Sequence, residues 1–231
     1  MLVLFVGDSH GNIPYMLKAV EVGIDAGADL VVQVGDFGFW PKSDFAVRVD
    51  KMFKKAELPL GVVRGNHDEP EQAFSSRWQT NIFEPGLSVI RDGSVLDFNG
   101  TKVGFMGGAV SVDQESRFTG LSWWPNEVPS KEDFDYAIEN GPVEVWVTHD
   151  SVEVPPVMNA YSFGPRIDTQ LSIQRNQMRR VFHALKPRLH IHGHWHCRYT
   201  AETDYGRVIG LDFENMDGFM LVSFDENVTV G

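Results

Sequence analysis

Cysteine is nearly absent from this sequence: Cys197 is alone among 231 residues. No internal disulfide can therefore form, and the chain fits a reducing compartment. Long apolar runs are missing too, and none approaches the roughly 20 residues that a membrane-spanning helix needs. The opening run Leu2 to Val6 is too short for a signal-peptide core, and Gly7-Asp8 ends it. Basic residues are the third shortage, with 20 Lys and Arg against 32 Asp and Glu and a net charge of -12. That balance argues against broad attraction to a polyanion, although bound metal ions could invert the field locally. What is present is 42% apolar and 12% aromatic, ample for a sizeable core. With no linker, repeat or low-complexity tract, residues 1–231 read as a single domain. The expectation is a soluble, cytoplasmic protein without membrane association and with no obligate protein partner evident.

The apolar pattern divides the chain. Leu2 to Val6, Leu30 to Val34 and Leu60 to Val63 are short continuous runs, as strands buried on both faces require. Between them, Ile13 to Ile24 and Phe45 to Ala56 repeat at helical spacing, with Pro14 in the first turn and Ser43 as a cap. Strand, helix, strand, helix, strand implies parallel pairing. Beyond residue 80, Leu87 to Ile90 is a short strand, and Asn99-Gly100 is a strong hairpin signal between Ser94–Phe98 and Thr101–Met106. Residues 107–129 lack periodicity and predict a long loop, which in a compact domain is usually functional. Ser130 with Asp133 opens a helix, Val143 to Val147 is a strand, and Asp168 can cap a long helix reaching Leu185. Leu189 to His192 follows, and the remainder suggests an antiparallel meander. The fold class is α/β, or α+β if the back half is weighted.

Five strand ends carry the same kinds of side chain: Asp8 and His10, Asp36, Asn66 and His67, His149, and His194 and His196. Side chains at the C-terminal ends of parallel strands project into a common crevice. Each piece alone is ordinary turn chemistry; their recurrence at successive strand ends is not. His194-Trp195-His196 on an alternating segment would put both rings on one side. Mixed nitrogen and oxygen donors suit first-row ions such as Mn, Fe, Co, Ni or Zn. The donors outnumber the needs of one four-coordinate ion and suit two ions about 3.5–4 Å apart, bridged by a carboxylate.

Asp8-x-His10, Gly35-Asp36, Gly65-Asn66-His67-Asp68, His149 and Gly193-His194-x-His196 together closely resemble the calcineurin-like metallophosphoesterases, from one end of the chain to the other. The resemblance implies a four-layer β-sandwich flanked by helices, with a metal site at the C-terminal strand ends. It implies two divalent ions, Mn2+ first among them, with Asp8, His10 and His196 on one, Asn66, His149 and His194 on the other, and Asp36 bridging. It further implies metal-dependent hydrolysis of phosphate esters, in which a hydroxide activated by two metals attacks in line. His67 would act as general acid or transition-state stabiliser. A non-catalytic scaffold on the same fold is the rival from another class, and it predicts eroded ligands.

Departures from the family pattern matter as well. The protein-phosphatase members carry Asp and then Arg where this chain has Phe39 and Trp40, so the carboxylate partner of His67 is missing. Asp68 or Asp150 could replace it. Asp68 after the catalytic His is similar to phosphodiesterases and nucleotidases. The reading therefore leans to a broad phosphoesterase with a phosphodiesterase component, with a phosphomonoesterase acting on phosphoprotein or nucleotide as the alternative; a nucleotide or a nucleic-acid end is among the compatible partners. Arg64 is a candidate for substrate phosphate or a structural salt bridge, and Arg117 in the long loop is a second phosphate candidate. The loop and Trp123-Trp124-Pro125 resemble a bacterial and phage subgroup. The two tryptophans could stack on a base, or divide between core and surface.

Overall fold

The computed structural model describes residues 1–153, 162–204, 206–225 and 228–231. Strand β1 (Leu2–Val6) sends Val3 and Phe5 into one apolar cluster and Leu4 and Val6 into another. That alternation, with apolar residues on both sides, marks a strand covered on both faces. Helix α1 (Ile13–Ala26) follows; the Asn12 side chain accepts from the Tyr15 amide, and Gly27 ends the helix at φ 69°. β2 (Leu30–Gln33), α2 (Phe45–Lys55) and β3 (Pro59–Val62) complete the predicted alternation, and β1, β2 and β3 pair in parallel. Ser43 lies one residue too early to be the cap of α2, which Asp44 occupies, but its hydroxyl accepts from the Phe45 amide. A one-turn helix, α3 (Pro70–Ala73), precedes β4 (Gly86–Val89), which extends the parallel set.

The second sheet begins with the hairpin of β5 (Val95–Phe98) and β6 (Thr101–Met106). Asn99 and Gly100 take positive φ at its turn, as the two-residue connection demands. α4 (Lys131–Asn140) opens with the reciprocal Ser130–Asp133 cap. β7 (Val145–Thr148), α5 (Pro165–Leu185) and β8 (Leu189–His192) follow, with β6, β7 and β8 parallel. α5 starts three residues before Asp168, whose carboxylate reaches back to the Phe163 amide from within the first turn.

The expected C-terminal meander is corrected. β9 (Tyr199–Thr203) and β10 (Gly206–Gly210) form a hairpin, but β10 lies parallel to β8. β11 (Phe219–Phe224) then crosses to the first sheet and pairs antiparallel with β1, carrying β12 (Val228–Val230) on its far side. Met220, Val222 and Phe224 enter the inter-sheet core, so the crossing covers an edge of β1 and adds apolar surface at once. The result is two six-stranded mixed sheets, ordered β12-β11-β1-β2-β3-β4 and β5-β6-β7-β8-β10-β9. They face each other across a core that includes Phe5, Val32, Phe105, Val147 and Ile191. α1 and α2 cover the outer face of the first sheet, and α4 and α5 that of the second, making four layers.

Candidate metal centre

Seven donor side chains from both sheets meet at the C-terminal ends of β1, β2, β3, β7 and β8. The ligand atoms of Asp8, His10, Asp36 and His196 all lie within 4.8 Å of one another, as do those of Asp36, His149 and His194. Asp36 belongs to both groups. Within the first, His10 Nε2 is 3.0 Å from His196 Nε2, which is 3.1 Å from Asp8 Oδ2. Within the second, His149 Nε2 lies 2.9 Å from Asn66 Oδ1 and 3.3 Å from Asp36 Oδ1, so Asn66 joins that group. Val34 O accepts from His149 Nδ1, which leaves Nε2 to face the site.

Local backbone geometry brings these groups together. His10, Asp36, His194 and His196 all adopt positive φ, between 40° and 64°. Such conformations cost of order 1–3 kcal/mol each in a non-glycine residue and persist only where the surroundings enforce them. They also correct the picture of His194 and His196 alternating on a strand, because both lie beyond the end of β8 in left-handed turns. The glycines of the motifs supply room. A Cβ at Gly35 (φ 112°) would fall 2.2 Å from His149 Nδ1, and one at Gly65 would fall 2.0 Å from Asp36 Oδ1.

Electrostatics follow from crowding in a buried place. Burial alone would raise the Asp36 carboxyl, but the His149, His67 and His10 imidazoles override it and hold it well below the usual range. Burial opposes charge on His149, yet the Asp36 carboxylate prevails and pushes it up to about 10. Burial, with His149 close by, takes His194 well below the imidazole range. Its Nε2 is buried and has no hydrogen-bond partner among the described residues. A neutral, buried imidazole nitrogen without a partner is uncommon in a folded interior and suits a coordinate bond. The donor set and this orphaned nitrogen fit a pair of divalent ions sharing Asp36.

His67 stands at the rim. Its amide donates to Asp36 Oδ1 at 2.8 Å, and its carbonyl accepts from the Trp40 indole at 3.0 Å. Its ring packs edge-on to His10. Trp40 thus fixes the His67 backbone from a position where the protein phosphatases have arginine. Burial, reinforced by Arg117 and His10, lowers the His67 imidazole against the pull of Asp36 and Asp113.

Neither proposed carboxylate partner serves the His67 ring. Asp68 spends its oxygens on the backbone amides of Phe37, Gly38, Phe39 and Gly65, clamping two of the strand-end loops together. Asp150 accepts from the Trp195 indole and the Ser151 amide. Among the described residues, Asp36 is the one carboxylate within 4 Å of the His67 ring, at 3.9 Å. Arg64 takes its salt-bridge alternative: it is buried, donates to Asp92 Oδ2 at 2.9 Å and caps the Glu127 carbonyl. Arg117 is the arginine beside His67, held by Ser111 Oγ at 2.5 Å and 3.5 Å from Asp113. Trp124 is a core residue and Trp123 is half-buried. Sequence reading missed Ser111 and Glu127, which join Asn66 and Arg117, and Phe213, which stacks on His196 at 4.2 Å. Their only signal was membership of a long loop or of the stretch after β10.

Solved structures share this fold at low sequence identity. The protein TT1561 of Thermus thermophilus matches with a TM-score of 0.66 at 13% identity, over 100% of this chain and 97% of its own. A dimetal phosphatase from Danio rerio gives 0.61 at 12% identity, over 100% and 95%. GAP50, the anchor in the inner membrane complex of Plasmodium, gives 0.58 at 10% identity, over 99% and 82%. No curated protein matches the chain. No helix among the described residues is long and apolar enough to cross a membrane. The sequence profile of the calcineurin-like phosphoesterases matches residues 1–198. The chain therefore belongs to the calcineurin-like phosphoesterase family, whose members hydrolyse phosphate esters.

Proposed function

We propose that this protein hydrolyses phosphate esters at a two-metal centre held by Asp8, His10, Asp36, Asn66, His149, His194 and His196. The observation that carries the reading is the sharing of Asp36 between two separate groups of donor atoms. Asp8, His10 and His196 would hold one ion, Asn66, His149 and His194 the other, with Asp36 between them. Bound there, the two ions would neutralise phosphate charge and acidify water, so that hydroxide is the nucleophile at neutral pH. Mn2+ is the first choice, with Fe, Zn, Ni or Co also compatible with these donors. Arg117 would bind a non-bridging phosphate oxygen and orient the ester. His67, fixed through its backbone by Asp36 and Trp40, would donate a proton or a hydrogen bond to the leaving oxygen opposite the attack.

A phosphodiesterase component is favoured over a strict monoesterase, because Phe39 and Trp40 replace the Asp and Arg of protein phosphatases. A nucleotide or a short nucleic-acid end is compatible with such a site, and a long duplex is disfavoured by the net charge of -12. The long loop supports placement in the bacterial and phage subgroup, and the single cysteine supports a cytoplasmic setting. The scaffold role fits less well, because every donor position and His67 is intact.

The test is hydrolysis of p-nitrophenyl phosphate and bis-p-nitrophenyl phosphate by metal-free protein reloaded with Mn2+. Activity on the diester at least equal to that on the monoester is expected, with Asp36→Ala losing metal and activity together. His67→Ala should keep the metal and lose about 10²–10⁴-fold in kcat. No turnover of either ester with any first-row ion would refute the reading.

A further inference from the structure

The Asn66 amide can coordinate an ion only through Oδ1, so something must decide which of its ends faces the metal centre. Asn66 Nδ2 lies 3.0 Å from Ser111 Oγ, which lies 2.5 Å from Glu127 Oε2. Arg117 Nη1 is 2.5 Å from the same hydroxyl, and the Ser111 amide donates to Glu127 Oε1 at 2.9 Å. Ser111 is 0% and Glu127 3% exposed, so these contacts do not compete with bulk solvent.

The polarity of this cluster follows from donor counting. A guanidinium and a backbone N–H can only donate, an ionised carboxylate can only accept, and a hydroxyl has one hydrogen and two lone pairs. Burial raises the Glu127 carboxyl, opposed by the Ser111 hydroxyl and amide; in its ionised form it accepts from the Ser111 amide through one oxygen, and its other oxygen receives the Ser111 hydroxyl hydrogen. The two lone pairs of that hydroxyl then take Arg117 and Asn66. Asn66 must therefore turn Nδ2 towards Ser111 and Oδ1 towards His149, where Oδ1 is found 2.9 Å from Nε2.

We infer that Glu127 and Ser111 are positioning residues of the metal centre, which through one hydroxyl set the coordinating face of Asn66 and seat Arg117. The inference rests on the two-metal reading of the site. It gives the loop after β6 a defined task, joining one ion's ligand to the arginine that would meet substrate. It also makes Glu127→Gln, the same size and shape, a disruptive change. The Ser111 amide would claim the new Oε1, leaving Nε2 to donate to Ser111 Oγ. With Arg117 on the other lone pair, the hydroxyl hydrogen would point at Asn66 and call for its oxygen, reversing the amide and removing a ligand.

Calorimetric titration of Mn2+ into metal-free wild type, Ser111→Ala, Glu127→Gln and Arg117→Ala tests this, with electron paramagnetic resonance to detect coupled Mn2+ pairs and circular dichroism to verify folding. Wild type should take two ions. Ser111→Ala and Glu127→Gln should each weaken one of the two sites about 10–100-fold, as loss of a group supporting a ligand does, and lose the coupled signal at limiting metal. Arg117→Ala should keep both sites and raise KM. If Glu127→Gln fails to fold, Ser111→Ala, which removes one oxygen, decides. Wild type that cannot take two ions would overturn the metal-centre reading and this inference with it. Two tight sites in folded Ser111→Ala and Glu127→Gln, or equal weakening of both sites, would overturn the inference alone.

Discussion

Arg64 and Arg117 show how position, not residue type, assigns a role. Arg64 is buried and locked to Asp92, whereas Arg117 is half-buried and lies where its charge reaches His67. Arg64→Ala should leave Asp92 uncompensated and cost about 3–5 kcal/mol of stability, measured by urea denaturation, with KM for the diester unchanged. Arg117→Ala should do the reverse, raising KM about tenfold or more with little change in unfolding. The strand-end donors were legible in sequence because Asp8, His10, Asp36, Asn66 and the histidines fall in short motifs directly after apolar runs. Ser111 and Glu127 were not, because their contacts span 45 residues to Asn66 and 16 residues between themselves, with no local pattern to announce them. The tie between Trp40 and the His67 carbonyl was equally hidden, since only the folded turn makes it.

Among the elements, the loops at the ends of β2 and β3 carry Asp36, Asn66 and His67, and Asp68 holds them together. It accepts four backbone amides, from Phe37, Gly38, Phe39 and Gly65, in a buried place. Asp68→Ala leaves those donors unpaired and should cost about 3 kcal/mol or more. Because Asp36 lies in the clamped loop, a thermal scan with and without Mn2+ should also show reduced metal stabilisation. Helices, hairpin and parallel strands followed from periodicity, Asn-Gly and caps. The departure of β11 to the first sheet did not. An alternating apolar strand states that it needs a partner with a core-facing side, and two sheets offered one.

On the scale of the whole molecule, the sandwich buries two imidazoles that take no part in the site. His190 and His192 are both 0% exposed, the first against Trp146 and the second hydrogen-bonded to the Tyr199 hydroxyl at 2.6 Å. Burial, with the neighbouring His192, holds His190 well below its ordinary range. Burial takes His192 down to about 4. A folded value below the unfolded one means that the unfolded chain binds more protons as pH falls. The contribution is thus whole above about pH 6.5 and is lost on the way to about pH 4. For His192 that amounts to roughly 2 kcal/mol by pH 5. Because the raised His149 acts in the opposite sense over this window, the comparison is metal-free wild type against His192→Asn, each denatured at pH 7.5 and pH 5, and identical pH dependence in the two would refute it. Metal acts in the opposite sense, since each ion at 100 times its Kd should add about 2.7 kcal/mol and raise Tm.

The seven donors are divided between sheets, with Asp8, His10, Asp36 and Asn66 on loops of the first and His149, His194 and His196 on loops of the second. β1 is itself paired on one side by β11, which is made much later in the chain. During synthesis the N-terminal strands therefore leave the ribosome with neither that neighbour nor the histidines of the second sheet. Asp8, His10, Asp36 and Asn66 are then an incomplete donor set until the second sheet brings His149, His194 and His196. On the two-metal reading proposed above, a chain truncated before His194 would lack two of the seven donors and should bind fewer than two ions.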